Sequence, residues 1–517
     1  MELNSYAKIL IQTFKKVGED AKHSPSNINP IVSELASWYE RFRNSIEYRE
    51  EEMILRASIE RILKRKLMLG DKSKVGEELV KELLWAQHIQ EEQTDAKTIE
   101  NVTRSIKLYL ELKSKVPKTI HNINTNSFIT NILSSDIENI LSPSQERETI
   151  ENFIFHILKK NIVIEDGTDE DRNVQLFIAI KKAYSKNDHA LIEYNLFKQY
   201  FGELSEENIE SITQNFKEGI KTIKGQLNHK LRFKILNYVK RQIPPFLILE
   251  DILRQDPQSL TLIEKDPEEF QKFIETTCST RYQSVATKVR RAIIRSIIFI
   301  ALSKVLFAFS VEATYDNIIH GQIFWIPLLI NIFGPILLMI IVSLLIRIPG
   351  QKNTAEIFKR IQILITDKDP KIGKKLLIKE HDENSTSTLH TFFSILSYGG
   401  FFLSVGFIVL LLMRFNFTIA SQGIFIFFLS IVSFLAYRIN QTAQTYTVKE
   451  RQHLFTPFID LFFMPIARLG RHLTESISQI NIFLFILDFL IETPYKGLVS
   501  FFEQWFFFLH SKRDGLG

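Results

Sequence analysis

Lys304 is the first residue that could do chemistry. It stands inside residues 292–311, a run otherwise made mostly of Ile, Ala, Leu, Val, Phe and Ser. A cation within a membrane-length apolar segment is costly and is commonly functional or paired. Three roles fit it: a stem reaching the outer interface toward Glu312, a buried structural pair, or a place on a transport path. Asn331 is the second candidate. It lies four residues before Pro335, beside Gly334, in another apolar run. Proline cannot donate to the carbonyl four residues back. An unpaired carbonyl and an amide side chain then share one depth, either as a packing kink or as an ion-coordinating break. Asp460, Asp488 and Glu492 are acids in otherwise apolar segments near the end of the chain. They supply the polar face of interfacial helices or, with Arg468, Arg471 and Lys496, the elements of a proton or ion path.

No catalytic signature accompanies these residues. There is no HExxH, CxxC, GxSxG or Walker A loop. Gly70 to Gly76 lacks the closing Gly-Lys-Ser/Thr, and the acidic run 165–171 lacks calcium-loop spacing. One cysteine, Cys278, excludes a disulfide framework and a multi-cysteine metal site. The expectation is therefore no catalytic, cofactor-binding or metal-binding residue, and no cofactor.

The elements that position these candidates follow from composition. The chain has 517 residues, with 64 Lys+Arg against 59 Asp+Glu and a net charge of +5. The charge is unevenly placed. Residues 1–290 hold 43 basic and 44 acidic residues, whereas residues 291–517 hold 21 and 15. The basic excess thus lies in the apolar part, where it signals orientation in a bilayer. A neutral N-terminal part argues against nucleic acid as a partner.

Four stretches reach the length of about 20 apolar residues that a membrane-crossing helix needs. They are 292–311, 323–346, 391–413 and 418–437. Lys288, Arg290, Arg291 and Arg295 precede or open the first; Glu312 and Asp316 follow it. Nine Lys or Arg residues fill the connection 347–390, and Arg438, Lys449 and Arg451 follow the fourth stretch. Alternating cation-rich and cation-poor connections put both termini on the cytosolic side. The first residues contain no continuous apolar core of a signal peptide.

The expected fold is all-α. A cytosolic helical domain (1–290, dividing near 116–126 or 165–172) precedes a transmembrane domain (291–452) with a cytosolic helical loop at 347–390. Residues 453–517 form interfacial or re-entrant amphipathic helices, with two further spans as the alternative. Helical stripes are explicit at Leu55, Ile59, Ile62, Leu63 and Leu67, and from Ile209 to Leu227. Glu52, Arg56, Glu60 and Lys64 form an i,i+4 charge ladder. No run alternates long enough for a strand. Ser142-Pro143 reads as an N-cap with proline at N1, and Asn353 with Glu356 as a capping box. The basic stretch 219–241 reads as a solvated face or a surface apposed to anionic lipid. Small residues at Ser296, Ser303 and Ser310, and at Ser397, Gly400 and Ser404, suit close packing within a protomer or between copies in a homo-oligomer.

These features point to a multi-pass protein of the plasma (cytoplasmic) membrane, in contact with the lipid bilayer. The leading expectation is a non-enzymatic scaffold whose cytosolic domain binds a protein partner. The alternative is an oligomeric transporter or channel using the intramembrane polar residues.

Overall fold

In the computed structural model, the described residues are 2–20, 34, 36, 40, 53–69, 74–90, 94–120, 123–164, 168–378, 383–448, 463–473 and 493–514. Asp460, Asp488 and Glu492 lie outside them, as does Glu52. The described chain is mostly helical. In order, the helices are α1 (Ser5–Asp20), α2 (Ile54–Leu69), α3 (Val75–Trp85), α4 (Ala96–Lys115), α5 (Thr125–Leu141), α6 (Gln145–Lys159), α7 (Asp169–Ala183), α8 (His189–Phe201), α9 (Ile209–Leu227), α10 (Arg232–Gln242) and α11 (Pro244–Gln255). They continue as α12 (Leu262–Lys265), α13 (Pro267–Phe307), α14 (Ala313–His320), α15 (Trp325–Leu345), α16 (Gln351–Thr366), α17 (Glu383–Arg414), α18 (Ile419–Ala443) and α19 (Thr493–Asp514).

Short polar side chains set many of the helix starts. Asp95, Asn124, Thr168, Asp188, Asp266 and Thr418 each accept a backbone N–H of the first turn of α4, α5, α7, α8, α13 and α18. Two expected caps are absent. α6 begins at Gln145, with Ser144 at its cap position and no side-chain bond, so Pro143 precedes the helix. α16 begins at Gln351, and Asn353 instead donates to Tyr446 O at 2.7 Å and accepts from Val448 N at 2.9 Å. Its amide pins a later turn rather than its own helix. Short strands also occur where none is expected. β1 (Thr119–Ile120) pairs antiparallel with β2 (Ile123–Asn124), inside the expected break at 116–126. β3 (Ile162–Ile164) and β4 (Leu376–Ile378) form the second pair. Two or three residues are too few to display a period-two pattern.

The chain forms two compact units. One comprises Asn4–Lys240, Lys371–Leu377 and Ile482–Gly517. In it α5 is central, packing on α2, α4 and α8, while α9 lies against α8 and α4. The apolar stripe Ile209, Ile212, Phe216, Ile220, Ile223 and Leu227 is buried throughout. Gly219 brings α9 onto Phe201, since a Cβ there would fall 2.1 Å from the ring. Only part of the charge ladder on α2 is solvated: Lys64 is exposed and Glu60 half-buried. Arg56 is buried and bonds Glu60 at 2.7 Å, Asp188 at 2.6 Å and Ser134 at 3.2 Å. Arg61 with Glu40, and Arg65 with Glu82, are further buried pairs. Residues 371–377 join this unit beside β3, where Asn161 donates to Ile372 O at 2.8 Å.

The other unit comprises Met1–Leu3, Arg241–Pro370 and Ile378–Asn481. Residues 241–290 therefore pack with the apolar helices. α13 runs unbroken for 41 residues, from a start capped by Asp266 with Pro267 at N1, across the point where composition changes. α13, α15 and α18 pack on one another, with Val285, Val289, Ile300, Met339, Val432, Ala436 and Ile439 in the shared core. Among the described residues, three helices are long and apolar enough to cross a membrane: Pro267–His320, Trp325–Leu345 and Ile419–Ala443. A shorter apolar helix, Gly399–Arg414, forms the end of α17. Asn416, in the left-handed region, turns the chain into α18.

Candidate functional site

Lys304 and Asn331, 27 residues apart, meet inside the bundle of α13, α15 and α18. Lys304 Nζ donates to Asn331 Oδ1 at 2.6 Å, and both residues are fully buried. The lysine stem is buried along with its ammonium. Its ammonium also sits 4.3 Å from the Phe428 ring centroid, a cation–π geometry supplied by α18.

The chain just beyond α13 supplies the rest. A π-turn at Ala308–Glu312 joins α13 to α14. In a regular α-helix, Glu312 would point roughly 80° away from Lys304 around the axis. The wider π-turn unwinds that offset and turns Glu312 and Asp316 inward, where both are fully buried. The apolar run in the sequence ends at residue 311, before Glu312. The helix continues instead to His320, and Gly321 in the left-handed region closes it. Exposed apolar residues likewise continue from Ile294 to Ile319. Lys304 lies about 15 Å along the helix from Ile294 and about 22 Å from Ile319 at 1.5 Å per residue. It is near the middle of this apolar surface, not at its end.

Asn331 joins the two charges. Its Oδ1 takes the Lys304 proton donor, and its Nδ2 donates to Glu312 Oε1 at 2.7 Å and to Ser421 O at 3.0 Å. Thr418, the cap of α18, places its hydroxyl 3.2 Å from Asp316 Oδ1 and 3.0 Å from Ser421 Oγ. The network thus contains one ammonium and two carboxylates. Glu312 Oε2 and Asp316 Oδ2 are buried with no hydrogen-bond partner among the described residues.

Of the five candidates in the sequence, the structure brings together Lys304 and Asn331; the three acids near the C-terminus lie outside the described residues. Glu312, Asp316, Thr418, Ser421 and Phe428 complete the cluster and were not singled out as site residues. Lys304 and Glu312 are eight apart, a spacing that regular helical periodicity does not align. Among the described residues no group of three or more His, Cys, Asp or Glu is placed to hold a metal ion. Elsewhere, Phe155, Asn173, Phe177, Asn195, Lys198 and Gln199 line an open hollow of about 300 Å³ on the unit of residues 4–240. Comparison with protein-family models, with curated proteins and with solved structures finds no match to this chain.

Proposed function

We propose that the chain is a multi-pass integral membrane protein, non-enzymatic, that holds a helical partner-binding domain at the cytosolic face of the plasma membrane. The observation that carries the membrane part is the outward surface of the apolar helices. Leu302 and Leu306 on α13, Phe333 and Leu344 on α15, and Phe402, Phe407 and Leu410 on α17 are all more than half exposed. An apolar surface of this extent is far larger than the patches a water-soluble monomer leaves uncovered, and lipid is the cover it suits. In this reading α13–α14, α15, α17 and α18 supply four spans, and the cations at 347–390 lie with both termini in the cytosol.

The scaffold role rests on the separate core of residues 4–240 and on buried ion pairs there whose partners are protein groups, as structural pairs have. Cross-linking of the full chain in native membranes, followed by mass spectrometry, tests it. A partner whose cross-links fall within residues 1–290 supports the scaffold; cross-links confined to lipid-facing helices count against it.

The Lys304–Asn331–Glu312 network favours a second reading, an oligomeric transporter or channel. Ion flux in proteoliposomes that Lys304→Ala abolishes supports this alternative. Equal permeability of the wild type, the variant and empty liposomes removes it.

A further inference from the structure

The cluster between α13, α14, α15 and α18 carries a charge that its own residues do not cancel. Among the described residues, the charged groups facing Glu312 are Lys304 on α13 and Asp316 on α14; α15 and α18 contribute the neutral Asn331, Thr418 and Ser421. One ammonium against two carboxylates leaves one negative charge among fully buried groups, a costly state in an apolar bundle.

The hydrogen bonds show where the missing charge belongs. Glu312 Oε1 is taken by Asn331, and Asp316 Oδ1 faces Thr418. Among the described residues, the second oxygen of each acid, Glu312 Oε2 and Asp316 Oδ2, has no hydrogen-bond partner, although both side chains are fully buried. The two acids are four residues apart on successive helical turns, so their side chains are neighbours. One proton between the two second oxygens makes one acid a hydrogen-bond donor to the other and cancels the excess charge.

We propose that Glu312 and Asp316 form a carboxylate dyad that holds one proton, making the Lys304 cluster neutral. The proton satisfies the two unpartnered oxygens as an O–H donor on one acid facing the other. It leaves one carboxylate to balance the Lys304 ammonium through Asn331. The site is thus a proton-binding site within the apolar helices, and it does not depend on whether the other unit is a scaffold.

Infrared spectroscopy of the full chain in lipid at neutral pH tests this directly. A protonated carboxylic acid gives a C=O stretch, distinct from the amide bands, that shifts in D2O. The wild-type-minus-variant spectrum isolates this site from other buried acids. One such band is expected to be lost in Glu312→Gln and equally in Asp316→Asn, since either leaves a single carboxylate to pair with Lys304. In Lys304→Gln the two acids lack their cation and take up a second proton, so the band doubles. Circular dichroism establishes that each near-isosteric variant keeps its helix content. Difference spectra without a carboxylic-acid band in both acid variants overturn the proposal. Thermal stability that depends on sodium or potassium at fixed ionic strength, with the dependence lost in Glu312→Gln, also overturns it and makes the occupant an alkali cation.

Discussion

Asn331 links opposite charges without letting them touch. Its carbonyl oxygen takes the Lys304 ammonium and its amide nitrogen serves Glu312. Removing the middle of such a chain leaves buried polar groups unsatisfied on both sides, a loss of about 3 kcal/mol or more. Asn331→Leu should therefore lower the thermal midpoint of the detergent-solubilised protein clearly. Replacing Lys304, Asn331, Glu312 and Asp316 together by apolar residues of similar size should recover much of that loss. A quadruple variant as unstable as Asn331→Leu would show that the network is not the source of the effect. Glu138 makes a different point in the unit of residues 4–240. Burial pushes its carboxyl up to about 7 and Asp188 adds to the shift, against the pull of Arg56. Its Oε2 is buried without a hydrogen-bond partner among the described residues. The folded state therefore holds the proton more tightly than the unfolded chain does. Its contribution is complete below the ordinary carboxylate range and is lost as pH rises through about 7. Unfolding midpoints measured across this interval should fall with pH in the wild type and fall less in Glu138→Gln. Parallel curves would refute the assignment.

At the scale of elements, close approach depends on single glycines. A Cβ at Gly219 would collide with Phe201 between α9 and α8, and one at Gly470 would lie 1.9 Å from Ser430 O on α18. Helical residues 463–473 thus pack on α18 backbone to backbone. Gly470→Ala forces that contact apart and should cost about 1–3 kcal/mol, as overpacking does. The same change at Gly225, which has open space around it, should leave the melting temperature nearly unchanged. Equal effects at the two positions would count against the packing account. Most elements were legible in the sequence because burial imposes a period: Ile209 through Leu227 repeat on one face, and that face is buried. The site was half legible. Lys304 and Asn331 stand out as polar residues in apolar runs, whereas Glu312 and Asp316 read as loop residues. The π-turn that aims them inward depends on tertiary packing and leaves no periodic trace. Asn353 misleads for a related reason, since its amide found a better partner at Tyr446 and Val448 than in its own helix.

Over the whole molecule, charge and hydropathy are distributed together. The nearly neutral residues 1–290 and the basic, apolar residues 291–517 average to an unremarkable mean hydropathy near zero. Their difference is the basis of the proposed orientation, in which 19 of the 21 later cations would lie on the cytosolic side. α13 crosses the change in composition without a break. A helix of this kind ties the apolar bundle to residues 267–290 as one element, whatever domain boundary composition suggests. Thiol labelling in sealed cells with a membrane-impermeant reagent tests this central claim most directly. Cys278 is buried and gives a low background. Gln322→Cys, beyond α14, should react from outside the intact cell, and Lys375→Cys, after α16, only once the cell is opened. Lys375→Cys reacting in intact cells, with Gln322→Cys protected, would contradict the orientation. Removal of the protein from the membrane by a salt or alkaline wash would contradict its integration.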